Sequence, residues 1–305
     1  MRKLFIALLV LTFVITLSGC KGEIEVTEFT VTDREGTEVV IPTNITKIVS
    51  TAPSNTEVII GLGLGDMLVA VDKYSPTEGL SEDIAIINFR EPDIELLISL
   101  EPDIVVASGH NKVGDDDPFK LLKEAGIAVV YIPSADSLQG ILDDITFIGL
   151  VLGKVEEANT ITTDLQTEFD EIAAIAATIT TKVNVYFEIG DYSGTLYSFG
   201  TETFLNEVVT LVGGNNIYSS ESGWLNVSVE DIISKNPDVI VTNQSNVEGI
   251  VASIMSRTGF DTIDAVINNQ VFVVNGNSTS RGSQNIIEGI REVAEALYPN
   301  YYDFD

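Results

Sequence analysis

Along this chain, short runs that are apolar throughout alternate with stretches in which apolar residues recur every three or four positions. Lys47–Ser50, Leu68–Val71, Ile104–Ala107 and Ile127–Ile132 read as strands covered on both faces, as in a parallel sheet. Asn55–Leu62 reads as a helix, with Ser54 as N-cap and Glu57 completing a capping box. The pattern then repeats. Val183–Phe187, Val239–Thr242 and Val271–Val274 predict strands; Thr203–Leu211, Val229–Ser234 and Gln284–Leu297 predict helices. Ahead of all these, Phe29–Thr32 and Thr37–Ile41 alternate around Asp33–Gly36 and predict a hairpin that ends at Pro42. Regular β–α alternation implies α/β lobes built on parallel sheets. Between the halves, Ile161, Leu165, Phe169, Ile172, Ala173 and Ala176 form one apolar stripe in Lys154–Ala177. At 1.5 Å per residue that helix would reach about 36 Å, enough to join two lobes or to pack along one.

The two halves share an internal repeat. Asp93–Val106 and Ser228–Val241 each give a helix start, a first-turn Glu, a stop at Pro-Asp and a buried strand. Glu95 and Glu230 hold the same register, seven residues ahead of Pro102 and Pro237. An acid there suits the helix dipole by about 0.3–1 kcal/mol. Its recurrence marks equivalent surfaces on two equivalent lobes, and two lobes with a cleft between them form a ligand clamp.

The first residues read as an address. Met1-Arg2-Lys3 is a basic n-region, and Leu4–Leu17 is an apolar run too short to span a bilayer comfortably. It ends in Leu17-Ser18-Gly19-Cys20, which resembles a bacterial lipobox with Cys20 as the lipidated residue. The chain has 16 Lys and Arg against 46 Asp and Glu, a charge of −30. Loss of Arg2 and Lys3 with the signal leaves 14 basic against 46 acidic side chains, or −32. This excludes nucleic acid as a partner. One Cys excludes a disulfide framework and Cys-rich zinc sites; one His excludes an H-E-x-x-H enzyme and His-rich metal sites. No G-x-S-x-G elbow is present, and Gly61-Leu-Gly-Leu-Gly65 follows a helix rather than a strand. Asp115-Asp116-Asp117 lacks EF-hand spacing and reads as an acidic loop ahead of Pro118. The expectation is a protein that is not an enzyme, with no intrinsic cofactor and no metal site of its own.

Ordered motifs then carry a resemblance. They are Val31-Thr-Asp-Arg-Glu-Gly36, Lys47–Glu57 leading into Gly61–Asp66, Pro92–Glu95 with Glu101-Pro-Asp103, and Gly126–Pro133. The second half supplies Thr203–Glu207, Gly213–Ile217, Trp224–Glu230, Asn236-Pro-Asp238 and Ser280-Arg281. Over about residues 27–302 the chain resembles the class III solute-binding proteins of ABC importers, which carry vitamin B12 and ferric siderophores. The resemblance implies two Rossmann-like lobes with central parallel sheets, joined by one long helix. The implied organisation is a signal peptide (1–19), tether and hairpin (20–43), N-terminal lobe (44–153), connecting helix (154–180) and C-terminal lobe (181–305). It implies docking of Glu95 and Glu230 on a permease dimer that works with an ATPase. It implies a monomer tethered through Cys20 outside the cell membrane, and a ligand held between the lobes. The matching positions are Tyr74, Phe89 and Arg90 in one half and Trp224, Asn277 and Arg281 in the other. Phe89-Arg90 stands where B12-binding relatives have Trp, Asn277 where Asp is common, and Gln284-Asn285 in place of Pro-Arg. His110, after a predicted strand, is a further ligand candidate or a plain loop residue. Scarce Lys and Arg (Arg90, Arg281, Lys73, Lys112) favour a neutral or cationic chelate, namely a corrinoid, a hydroxamate complex or a partly neutralised haem, over a tris-catecholate. A haem receptor of the same fold, and a surface sensor or adhesin without transport, are the alternatives.

Overall fold

The computed structural model describes residues 27–112, 114, 116–192 and 194–304. The signal peptide and Cys20 lie outside the described residues, as does Asp115. The chain divides into two compact units. One takes the residues up to Ser134 with Asp144–Asn159; the other takes Ala135–Asp143 and the chain from Thr160 on.

The first unit opens with an antiparallel hairpin, β1 (Glu28–Thr32) and β2 (Glu38–Pro42). Asp33 builds its turn by accepting the backbone N–H groups of Glu35 and Thr37 through Oδ1. Its other oxygen accepts the N–H of Tyr131, pinning the turn to the body of the unit. The chain then runs through β3 (Ile48–Ser50), α1 (Pro53–Gly61), β4 (Leu68–Asp72), β5 (Ala85–Ile87), α2 (Ile94–Ser99), β6 (Ile104–Ser108), α3 (Lys120–Glu124) and β7 (Ala128–Ile132). The strands form a parallel sheet in the order β5-β4-β3-β6-β7. Val49, Ala70, Val105, Val129 and Tyr131 join Leu97, Phe119 and Leu122 in one core cluster. Ile48, Ile104, Val106 and Val130 are equally buried, so the apolar runs are explained by a sheet covered on both faces.

One local expectation fails. α1 starts two residues before Asn55, with Ala52 as an N-cap that makes no side-chain bond and Pro53 at its first position. Proline suits that position because its missing N–H has no helical partner there. Glu57 therefore lies inside the helix and is buried rather than closing a capping box.

α4 (Leu138–Val151) and α5 (Val155–Ala176) follow, and each contributes residues to both units. The sequence pattern singled out only α5, because Gly140, Gly149 and the pair Asp143-Asp144 interrupt the periodicity of α4. Gly149 is required by close packing: a Cβ there would lie 2.3 Å from the Cβ of Ala158 and 2.9 Å from the Lys154 carbonyl oxygen.

The second unit continues with β8 (Asn184–Glu188), β9 (Gly190–Tyr192), β10 (Thr195–Phe199), α6 (Phe204–Leu211), β11 (Asn215–Asn216), β12 (Trp224–Val227), α7 (Val229–Lys235) and β13 (Val239–Thr242). It ends with α8 (Ile250–Met255), α9 (Asp264–Ile267), β14 (Val271–Val273), α10 (Gly276–Ser280) and α11 (Ile286–Leu297). A parallel sheet runs β11-β8-β13-β14. A separate antiparallel sheet, β12-β10-β9, was not expected from the sequence. Leu196 joins Tyr186, Tyr218, Ile232, Ile240 and Phe260 in the core, and Leu225 and Val227 pack against that cluster. After α11, Tyr298 and Tyr302 fasten the C-terminus by donating to the carbonyls of Gly213 (2.9 Å) and Val212 (3.0 Å).

Candidate functional site

In the first unit successive strands are laid outward from β3, first through β4 and β5 and then on the other side through β6 and β7. The crevice beyond the carboxyl ends of β3 and β6 is therefore the switch point where open parallel sheets take ligands. One side chain organises it. Asn111 Oδ1 accepts from the Thr51 hydroxyl at the end of β3 (2.6 Å) and from the Ser108 N–H at the end of β6 (2.6 Å). Its amide nitrogen donates to the Phe89 carbonyl at 2.7 Å. Asn111 is buried, so these bonds form away from competing water.

The rim above this network carries the residues the sequence singled out. His110 is exposed on the single turn Gly109–Asn111, its Nε2 2.6 Å from the Ser134 hydroxyl. Tyr74 is 56% exposed, with its backbone held by Asp72 and its ring 6.5 Å from that of Phe89. Lys73 Nζ lies 4.8 Å from the Tyr74 ring centre and the Arg90 guanidinium 5.3 Å from that of Phe89. Tyr74, Phe89 and Arg90 thus form one aromatic and cationic patch. Lys112 is not part of it: it pairs with Glu35 of the hairpin turn and lies 3.8 Å from the Tyr131 ring centre.

In the second unit Trp224 is not on a loop, as the Gly-rich context suggested, but opens β12 opposite Phe199 of β10. Its ring is 57% exposed and stands edge-on to Phe199 and Phe204, with centres 6.3 and 6.4 Å away. The antiparallel register puts Tyr197, Asn226 and Gly190 on the same face of the sheet as Phe199 and Trp224. Tyr192, 67% exposed, stands edge-on to Tyr197 at 5.3 Å and lies over Gly190, where a Cβ would come within 2.5 Å of the ring. The result is an aromatic face from Tyr192 to Trp224. The sequence reading missed Tyr192 and Tyr197; the alternation through Thr195–Phe199 was the available signal. Asn277 and Arg281 sit on and just after α10, where the Asn275 carboxamide accepts the N–H groups of Asn277 and Ser278.

This unit also has a switch point, between β8 and β13, and a different polar network fills it. Glu188, the last residue of β8, is wholly buried and meets the Arg257 guanidinium through both oxygens at 2.7 and 3.0 Å. Tyr186 donates to it at 3.1 Å and Gln244, just past β13, at 3.4 Å. Burial alone would lower the Arg257 pKa, but the bonds and charge of Glu188 hold it above the ordinary value. Neither Glu188 nor Arg257 carries a sequence motif.

The repeated Glu residues occupy matching places. Each helix is capped by a side chain, Asp93 accepting from Leu96 N–H and Ser228 from Asp231 N–H. Each ends in a left-handed residue, Glu101 (φ 52°) and Asn236 (φ 45°). The Asp after each Pro then clips the neighbouring strand, Asp103 accepting from Lys47 N–H (2.9 Å) and Asp238 from Asn184 N–H (2.7 Å). Glu95 and Glu230 are both exposed in the first turn. No helix among the described residues is long and apolar enough to cross a membrane.

Each unit thus carries a parallel α/β sheet with a switch point, and comparison with known proteins places the chain. The chain belongs to the periplasmic binding protein family, whose model matches residues 48–277. It is 32% identical, over 93% of its length and 90% of the relative's, to an uncharacterized ABC transporter substrate-binding lipoprotein, YvrC, of Bacillus subtilis. It is 25% identical to a cobalamin-binding protein of Halobacterium salinarum, over 87% of this chain and 73% of that one. Among solved structures, a possible iron-binding (periplasmic solute-binding) protein of Staphylococcus epidermidis matches with TM-score 0.75 and 27% identity, covering 83% of this chain and 99% of that one. The protein is the substrate-binding component of an ABC transporter, working outside the cytoplasm with a permease and ATPase.

Proposed function

We propose that this protein is a lipid-anchored receptor that captures a metal chelate, a cobalamin-type corrinoid or a ferric siderophore, and hands it to its permease. The observation that carries the ligand class is the aromatic face from Tyr192 to Trp224, matched in the other unit by the Tyr74–Phe89 patch. Broad rings with few charged groups suit a large, weakly charged chelate. The relatives named for cobalamin and for iron support the same class. A tris-catecholate would call for several basic side chains. Lys112 is engaged by Glu35, and Lys73 and Arg90 lie against rings, so a corrinoid or hydroxamate complex fits better. Trp224, the one Trp, is a built-in reporter. Titration with cyanocobalamin, a ferric trihydroxamate and haem should quench its fluorescence for one of the first two. Quenching by none of them, or by haem alone, would sink the reading. Trp224→Ala should weaken binding by roughly tenfold or more, as loss of a central aromatic anchor does.

Delivery rests on Glu95 and Glu230, exposed at matching places on matched helices. The paired variant Glu95→Ala with Glu230→Ala should abolish uptake by cells while ligand titrations stay unchanged; intact uptake would remove the docking role. Anchoring rests on Cys20, and the mature N-terminal peptide should carry the mass of a diacylglycerol there.

A further inference from the structure

The Glu188–Arg257 pair places a wholly buried carboxylate in the second unit. A carboxylate with no exposed surface has lost its hydration and is tolerated only when its oxygens are fully bonded. Here they accept four hydrogen bonds, from both Arg257 nitrogens, Tyr186 and Gln244. An apolar pair would hold the fold as well, so what a charged pair adds is direction. Arg257 follows α8 and is itself fixed, its backbone bonded to Ile254 and Phe260 and its guanidinium 4.8 Å from the Phe260 ring centre. From there the planar fork fills Glu188 and brings Nη2 to 3.8 Å from the Asp191 carboxylate. Asp191 also accepts the Gly194 N–H at 2.9 Å, so it is the keystone of the β9–β10 turn, and the next residue is Tyr192. The pair is thus joined to the tip that carries one end of the aromatic face, while Gly190 leaves room beneath the Tyr192 ring.

We propose that Glu188 and Arg257 are positioning residues that hold the Asp191–Tyr192 tip in its binding geometry. They reach no ligand themselves. This role rests on the proposed ligand-binding face, but the clamp on the tip is a claim about the free protein as well.

The test compares four full-length mature proteins: wild type, Glu188→Leu with Arg257→Met, Asp191→Asn, and Arg257→Lys. The double variant leaves no buried charge unpaired. It is expected to melt close to wild type yet bind cyanocobalamin or a ferric trihydroxamate about tenfold or more weakly, the usual scale when a supporting contact behind a binding residue is lost. Asp191→Asn is expected to weaken binding by roughly threefold, and Arg257→Lys, which keeps charge but not the fork, to fall between. In the absence of any ligand, amide hydrogen exchange over residues 190–197 should speed up in the double variant while β8 and β13 stay protected. A double variant that binds within twofold of wild type, with unchanged exchange at the tip, overturns the proposal. If wild type binds neither probe, the ligand reading fails, and exchange at the tip still decides the positioning role. If the double variant does not fold, Arg257→Lys and Asp191→Asn decide it in the same two measurements.

Discussion

The two switch points solve the same problem with different chemistry. Beyond β3 and β6, a neutral carboxamide, Asn111, joins two strand ends to the loop that carries Phe89. Beyond β8 and β13, an ion pair between a wholly buried Glu188 and a part-buried Arg257 joins one strand end to the turn that carries Tyr192. By sheet register, Thr51 stands just past Ser50 as Glu188 stands just past Phe187, so the positions are equivalent while the side chains are not. A neutral network costs less to desolvate than a buried carboxylate does. A buried charge is held only as long as its partner remains. The second unit should therefore be the more brittle of the two at this place.

Single substitutions break the comparison most strongly on the charged side. Arg257→Met alone strands the wholly buried Glu188 carboxylate and should cost about 3–5 kcal/mol, read as a large fall in the urea midpoint. A loss no greater than that of the double variant would mean the carboxylate does not depend on its partner. On the neutral side, Asn111→Ala leaves the Thr51 hydroxyl, Ser108 N–H and Phe89 carbonyl without this partner and should cost about 1–3 kcal/mol. If it costs as much as Arg257→Met, the contrast between the two networks is wrong.

A smaller effect sharpens the comparison at the Pro-Asp clips. Burial alone would raise the Asp103 pKa, but the N–H groups of Thr46 and Lys47, the Thr46 hydroxyl and the Lys47 charge hold the carboxyl below its ordinary range. A depressed folded pKa means stability that is complete above the unfolded value, about 3.9, and is lost as pH falls through the folded one. Asp103→Asn should therefore lower stability by roughly 1 kcal/mol at neutral pH, and the difference should shrink as pH falls from the unfolded value through the depressed folded one. Urea unfolding from pH 2 to 7 measures this. A constant difference across that range would mean the clip does not depend on its charge.

The repeat teaches the same lesson at the surface. Ile98 and Ile233 share a register in α2 and α7, three residues beyond Glu95 and Glu230. Ile98 is 41% exposed, whereas Ile233 packs so closely on Gly259 that a Cβ there would meet it at 2.7 Å. Equal sequence thus yields unequal surface, because the turn before Phe260 covers Ile233 while Ile98 stays open to solvent.

Much of the fold was legible because it depends on local periodicity. Apolar runs gave seven of the nine parallel strands described to within a residue, but not the short edge strands β5 and β11, and the stripe through Ile161–Ala176 gave α5. The start of α1 and the existence of α4 were not legible. Pro53 serves as an N1 residue that a side-chain capping rule does not anticipate, and the glycines of α4 are there for a neighbouring helix, not for the helix itself. Of the candidate site, Tyr74 with Phe89 and the exposed Trp224 were singled out from residue type and resemblance. Tyr192, Asn111, Glu188 and Arg257 were not, since each acquires meaning only through partners distant in the chain.

By itself, the sequence determined the α/β class, the two-fold repeat and the family, because these follow from hydrophobic period and from motifs contiguous in the chain. Tertiary structure alone decided which polar residues stand behind the candidate binding faces. Glu188 and Arg257 are 69 residues apart and become a pair only when β8 and the segment after α8 pack together and take the Glu188 carboxylate out of water.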